Sequence, residues 1–379
     1  MKQIIDLVRR FISKTFLIIF RVFPVNDKKV VFSSYFSTKF NDSPRAIFES
    51  MRVFAPDFQF IWLMRDDSIQ IEGATVLKPT KLKALFHLAT AKIWVDSSRK
   101  RSWVVKRKNQ YYVQTWHGGI AFKRVEADVA DKLPDLYVKS AKQDSKMADL
   151  FISGSKWQTQ SYRKSYWYDG EILEKGIPRS DIFYKSNDNL KNLVYQHYQL
   201  KADTKLVLYA PTFRADESMS NYDIEFDTLL DSLSKKFGGD WAVLVRLHPN
   251  VAKKQDFIQY TDRVLNGSSY QEINDLIISS EILITDYSSC MFDAMEAGKI
   301  VFMYTKDLEA YMADRGSEFE FDELPFAIAQ SNEDLFRMLE EFDKDSYDSR
   351  VSVFTDSLGL FNSSHASEDV VNYILEKVR

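Results

Sequence analysis

Apolar positions along the chain recur in two rhythms. Over residues 1–25, Ile4, Leu7, Val8, Phe11, Ile12, Phe16, Ile19 and Phe23 fall at helical spacing with Arg9, Arg10, Lys14 and Arg21 between them. That is the pattern of a basic amphipathic helix. Its longest charge-free apolar stretch, residues 15–20, is far shorter than the ~20 residues a bilayer crossing needs. The helix is therefore expected to lie on a membrane surface; simple packing on the protein body is the plainer alternative.

From residue 30 onward, short apolar runs alternate with helical patterns. VVFSS at 30–34, FQFIWLM at 58–64, KIWVDS at 92–97, YYVQTW at 111–116 and DLFISGS at 149–155 predict strands, and residues 44–54, 81–90 and 156–166 predict helices. A polar helical stretch at 187–204 follows, and the rhythm restarts. KLVLYAPT at 205–212, WAVLVRLHP at 241–249, residues 263–265, EILITDYSS at 281–289 and KIVFMY at 299–304 predict strands, with helices near 226–237, from 270, and over 290–298, 332–342 and 365–378. Strand, helix, strand in succession predicts parallel sheets covered by helices. We divide the chain into a membrane-associating helix (1–28), a first α/β domain (29–186) and a second (187–379). A cleft edged by strand carboxyl ends is expected between the two domains.

Composition narrows the function. The 379 residues are 45% hydrophobic and 28% charged, a folded globular profile, and the net charge of -3 gives no reason to expect nucleic-acid binding. One cysteine, Cys290, excludes a disulfide scaffold and a cysteine-rich zinc site. GxGxxG, GxxxxGK[ST], HExxH and GxSxG are all absent, so dinucleotide, P-loop, zincin and serine-hydrolase chemistries lack their parts. No cofactor and no obligatory metal are expected.

Chemically capable residues cluster just after predicted strands. In QTWHGG, His117 follows a strand and Gly118 and Gly119 let the backbone turn tightly; the imidazole is either a general base or a partner of the turn. LYAPTFR places Thr212 and Arg214 at another strand end, and VRLHP puts Arg246 and His248 on one face of a strand, an arrangement that suits a phosphate. ITDYSS ends a strand at Asp286 and offers Ser288 and Ser289 at a helix start. There they form an anion site or an ordinary cap. KGIPRSD, with Lys175, Arg179 and Asp181, either clamps a substrate or stops a strand.

TWHGG, KGIPRSD, LYAPTFR, RLHP and ITDYSSCMFD, in that order, resemble the CDP-glycerol glycerophosphotransferase family, which makes teichoic acids and related polyol-phosphate polymers. The resemblance runs from about residue 30 to 340. It implies a GT-B-like fold, two Rossmann-like domains facing across a cleft with the nucleotide on the second. It also implies a transfer of glycerol phosphate from CDP-glycerol, or of ribitol phosphate from CDP-ribitol, to a lipid-linked saccharide or polyol-phosphate acceptor at the cytoplasmic membrane face. By that resemblance His117 and His248 are catalytic, and Ser288 and Ser289 hold the diphosphate. Arg214, Arg246 and Asp286 fall within the matching motifs and are assigned to donor binding from charge and position. Many relatives carry Thr where this chain has Gly119. A sugar-nucleotide glycosyltransferase of the same architecture and a non-catalytic membrane-surface binding protein are the alternatives.

Overall fold

Two sets of Val-, Ile-, Leu- and aromatic-rich strands, buried on both faces, build two parallel sheets between helices. The computed structural model describes residues 2–212, 223–247 and 258–378. They form two compact units. One comprises Met1–Gly119, Val125–Asp181 and Gly359–Arg379; the other comprises Ile120–Arg124 and Ile182–Leu358.

The first unit runs α1 (Lys2–Ile19), β1 (Asn26–Ser33), α2 (Asp42–Phe54), β2 (Gln59–Leu63), β3 (Thr75–Leu77), α3 (Leu82–Thr90), β4 (Ala91–Asp96), β5 (Tyr111–Gln114), α4 (Asp135–Met147), β6 (Leu150–Ser153), α5 (Lys156–Ser165) and β7 (Glu171–Glu174). Its strands lie in the order β3-β2-β1-β4-β5-β6-β7, each neighbouring pair parallel. Because side chains alternate across a strand, Val30 and Phe32 pack with Ile47, Phe48 and Met51 of α2 on one face. Val31 packs with Leu85, Leu88 and Ala89 of α3 on the other.

The second unit runs α6 (Asp188–Tyr198), β8 (Lys205–Ala210), α7 (Phe226–Phe237), β9 (Trp241–Val245), β10 (Val264–Asn266), α8 (Ile273–Ser279), β11 (Ile282–Thr285), α9 (Cys290–Glu296), β12 (Ile300–Tyr304), α10 (Leu308–Arg315), β13 (Ala327–Ala329), α11 (Asn332–Glu340) and α12 (Lys344–Leu358). Its parallel sheet is ordered β10-β9-β8-β11-β12-β13. Both sheets thus share the doubly wound order in which the first strand sits beside the fourth. In such sheets the point where the order reverses is where loops diverge and ligands bind. Here those points are β1/β4 and β8/β11.

Three findings depart from the sequence expectation. Strands β3, β7 and β13 were not expected; each lies at a sheet edge, where three or four half-exposed residues carry no readable period. The unit division falls at Asp181/Ile182 rather than after residue 186, and the last helix, α13 (Ala366–Val378), returns to the first unit. There Val370, Val371 and Ile374 join the core around Phe32 and Trp62. Finally, α1 both packs and remains exposed. Leu17 is buried and Phe16 adjoins the first core, while Val8, Phe11, Ile12, Ile18 and Ile19 face outward. Among the described residues no helix is long and apolar enough to cross a membrane.

Candidate active site

At the β1/β4 switch point the backbone is bent hard. Tyr35, Phe36 and Ser37, which follow β1, have φ of 45°, 55° and 62°, and Asp42 has 62°. Non-glycine residues reach that left-handed region only when the surroundings hold them there, and such strain clusters at functional sites. The hydroxyls after β4 do the holding. Ser97 Oγ accepts the Tyr35 N–H at 3.2 Å and Ser98 Oγ the Phe36 N–H at 3.0 Å, while Ser34 Oγ donates to Asn41 Oδ1 at 2.9 Å.

The next strand, β5, presents His117. Trp116 is also left-handed, φ 56°, and its N–H donates to Gln114 Oε1 at 2.9 Å. The Gln114 amide in turn donates to Tyr112 Oη at 2.8 Å and Asp144 Oδ2 at 3.2 Å. Asp144 is one of two carboxylates on buried Arg99, at 3.3 Å, the other being Glu126 at 3.0 Å. A buried charge so paired and hydrogen-bonded makes a stiff base for the turn.

His117 stands on that base, half-buried, stacked on the Trp116 ring at 4.4 Å between centroids. Its Nδ1 lies 2.9 Å from the main-chain carbonyl of Ser97. A carbonyl only accepts, so Nδ1 carries the hydrogen and Nε2 is the acceptor of the neutral ring. Burial pushes the imidazole below its ordinary value; the Ser97 carbonyl and Asp42 oppose this and Arg179 reinforces it. The ring is thereby kept neutral near pH 7, as a general base must be.

The KGIPRSD segment divides its labour. Arg179 Nε lies 3.6 Å from Asp42 Oδ1, a buried pair whose two charges act on His117 in opposite senses. Asp181 instead accepts the backbone N–H groups of Ala366 and Ser367, at 2.7 and 3.0 Å, and so caps α13.

In the second unit, Asp286 sits at the β8/β11 switch point. Its Oδ1 accepts the Thr212 N–H at 2.8 Å and the Tyr287 N–H at 2.6 Å, and the Thr212 hydroxyl as well. One carboxylate oxygen thus ties the LYAPTFR turn to the ITDYSS turn. Ser288 is half-buried and Ser289 exposed at the start of α9, and the Cys290 N–H reaches Ser288 Oγ at 3.4 Å. Cys290 itself is buried with its thiol pushed up to about 11, which leaves it inert as a nucleophile. Arg246 directs Nη1 at the carbonyls of Gly267 and Tyr270, 3.0 and 2.6 Å away, so part of its guanidinium anchors the loop after β10. Arg214 and His248 lie outside the described residues.

Thus Thr212, Asp286, Ser288 and Ser289 converge at one strand edge of the second unit, and His117 stands at a strand edge of the first. Sequence reasoning missed Ser97, Ser98, Gln114 and Asp42. The polar triplet Asp96-Ser97-Ser98 at the end of an apolar strand was the available signal for two of them; Asp42 acts through its charge but is placed by a left-handed backbone bend, which leaves no residue-type signature. Among the described residues no group of three or more His, Cys, Asp or Glu side chains is placed to hold a metal ion.

Comparison with known proteins bears on this arrangement. The chain is 28% identical to the teichoic acid poly(glycerol phosphate) polymerase of Bacillus subtilis (strain 168), an alignment covering 99% of this chain and 52% of that protein. It thus spans about half the length of that relative. The polymerase of the same name from Bacillus spizizenii is 28% identical, with 97% of this chain and 98% of that protein covered. The teichoic acid glycerol-phosphate transferase of Staphylococcus aureus is 27% identical, with 93% and 94% covered. Among solved structures, the wall teichoic acid polymerase TagF, a variant soaked with CDPG, superposes with a TM-score of 0.86 at 27% identity over 100% of this chain and 97% of the other. A UDP-N-acetylglucosamine 2-epimerase from Listeria monocytogenes, TM-score 0.55 at 14% identity over 92% of this chain and 96% of that one, shares the fold alone. Residues 15–376 match the family described as CDP-Glycerol:Poly(glycerophosphate) glycerophosphotransferase, and the chain belongs to that family.

Proposed function

We propose that this chain transfers glycerol phosphate from CDP-glycerol to a hydroxyl of a lipid-linked acceptor at the cytoplasmic membrane face, in teichoic acid or capsular polyol-phosphate synthesis. The observation that carries the reading is the tautomer of His117: with Nδ1–H on Ser97, Nε2 is free to take a proton. The acceptor O–H gives its proton to Nε2, its oxygen bonds to the glycerol-bearing phosphorus, and the bond from that phosphorus to the bridging oxygen breaks. CMP leaves and a phosphodiester remains.

Phosphoryl transfer asks a protein for positioning and for charge that meets the equatorial and leaving oxygens. Ser288, Ser289 and Arg246 are assigned to the diphosphate, and Arg214 and His248 are assigned roles in the transfer on the strength of their motifs alone. Asp286 acts by fixing Thr212 and Tyr287 rather than by touching phosphate, since a carboxylate would repel it. Attachment to the membrane surface is supported by the outward apolar residues of α1.

Glycerol is preferred over ribitol because the relatives named for glycerol phosphate align at 28% and 29%. Ribitol remains the second reading, since the poly(ribitol-phosphate) polymerase of Bacillus spizizenii aligns at 27% over 94% of the chain. Supplying CDP-glycerol, CDP-ribitol and a UDP-sugar in parallel with a lipid-linked acceptor tests the donor. Acceptor-dependent CMP from CDP-glycerol supports the proposal; CMP from CDP-ribitol alone moves the donor, and release of UDP alone replaces the reaction with glycosyl transfer.

A further inference from the structure

The first unit contains a cavity of about 500 Å³ beside α1, away from the His117 imidazole. Arg10 of α1, Arg65, Lys78, Lys100 and Arg101 line it, against a single acid, Asp96, which is paired with Lys100. Arg65, Lys78 and Arg101 are exposed at its rim. A second recess of about 480 Å³ adjoins it, bordered by Val8, Phe11 and Trp103 together with Arg10 and Lys14. Arg10 and Trp103 line both, so a cationic chamber opens beside an apolar groove on the outward face of α1. The indole N–H of Trp103 is buried and makes no hydrogen bond. The Trp103 ring is what the two recesses share as a wall.

We infer that the paired recesses hold the phosphate-bearing end of a lipid, its phosphate or diphosphate among the cations and the start of its hydrocarbon chain in the groove of α1. A free anion would have no use for the groove, and an uncharged chain none for the cations. The proposal rests on the transfer reading above and deepens it by assigning the lipid part of the acceptor. Position supports that link. Ser98 lines the cavity, and its neighbour Ser97 supplies the carbonyl that orients His117. A lipid phosphate seated there is bound one residue along the same strand end from the anchor of the base.

Calorimetric titration of the full chain tests this without turnover, using farnesyl diphosphate, inorganic pyrophosphate, farnesol and dihexanoyl phosphatidylglycerol as probes. Farnesyl diphosphate is expected to bind ~10-fold or more tighter than each of the others, and the double variant Lys78→Glu/Arg101→Glu to erase ~10-fold or more of that affinity. Pyrophosphate binding equally well would make this a free-anion site, and farnesol equally well a plain apolar patch. Dihexanoyl phosphatidylglycerol equally well would assign the recess to bulk membrane lipid. Each of these, like an unchanged affinity in the double variant, overturns the proposal. Lys78 and Arg101 are solvent-exposed, so folding should be intact by circular dichroism; should charge reversal unfold the chain, Lys78→Gln/Arg101→Gln, expected to lose part of the affinity, carries the test. Failure of binding leaves CMP release standing, and absent CMP release with binding intact removes the transfer reading instead.

Discussion

His117 gives its Nδ1 hydrogen to the main-chain carbonyl of Ser97 at 2.9 Å, so the ring is oriented by backbone. A neutral acceptor fixes the tautomer without the strong preference for imidazolium that a hydrogen-bonded carboxylate would impose. Combined with burial, which lowers the imidazole from its ordinary 6.5, this predicts the pH dependence. A base is active when unprotonated, so activity is present above the lowered value and is lost as pH falls through it. The acid limb of kcat/KM is expected below pH 6.5 in a pH-rate series on the wild type.

The charges flanking the ring tune that limb in opposite directions. Arg179 disfavours the imidazolium and Asp42 favours it. Arg179→Gln is therefore expected to move the acid limb up and Asp42→Asn to move it down, read from the same profiles. A loss of rate with no movement of either limb would mean that these residues only pack.

His117→Gln keeps a polar side chain in place but removes the base. A fall of ~100- to 10,000-fold in kcat is expected, with donor affinity nearly unchanged. Steady-state CMP release measured with the donor varied separates the two.

The Asp286 carboxylate holds three donors from two turns. Asp286→Ala leaves those donors buried or displaced, and a stability loss of ~1–3 kcal/mol is expected in urea unfolding. Thr212→Val removes one of the three and should cost less, with a rise in KM for the donor larger than any fall in kcat.

Asp181 serves the fold. Its two bonds to the first turn of α13 predict that Asp181→Ala costs ~1–2 kcal/mol of stability and leaves the pH profile of the remaining activity unmoved. Denaturant melts and one pH series check it.

The space beside Gly119 is closed by a neighbouring side chain. A Cβ there would meet Ile177 Cδ1 at 2.7 Å, and one at Gly154 would meet Ile177 Cγ1 at 2.5 Å, so Ile177 fills the space between two glycines. Gly119→Thr is expected to cost ~1–3 kcal/mol alone. Ile177→Ala in the same chain should recover much of that, as a double-mutant cycle on unfolding free energy would show.

What the sequence made legible follows from how each signal is written. Central strands such as β8 and β11 were readable because burial on both faces demands unbroken apolar runs, whereas the edge strands β3, β7 and β13 are too short to show a period. Helices α4 and α12 escaped because their exposed polar faces dilute the apolar spacing. His117, Asp286 and the serines were visible as polar residues interrupting apolar strands. Asp42 and the left-handed run at Tyr35–Ser37 were not, since a strained φ in a non-glycine residue is imposed by tertiary hydrogen bonds from Ser97 and Ser98. The two roles inside KGIPRSD separated only once Asp181 was found on α13, a helix nearly two hundred residues later in the chain.

The most direct test of the account follows both products by phosphorus NMR with CDP-glycerol and a lipid-linked acceptor, in wild type and His117→Gln. CMP and a phosphodiester rising together in the wild type, and neither in the variant on the same timescale, is the predicted result. CMP formed without a phosphodiester, or equal rates in the two proteins, would contradict it.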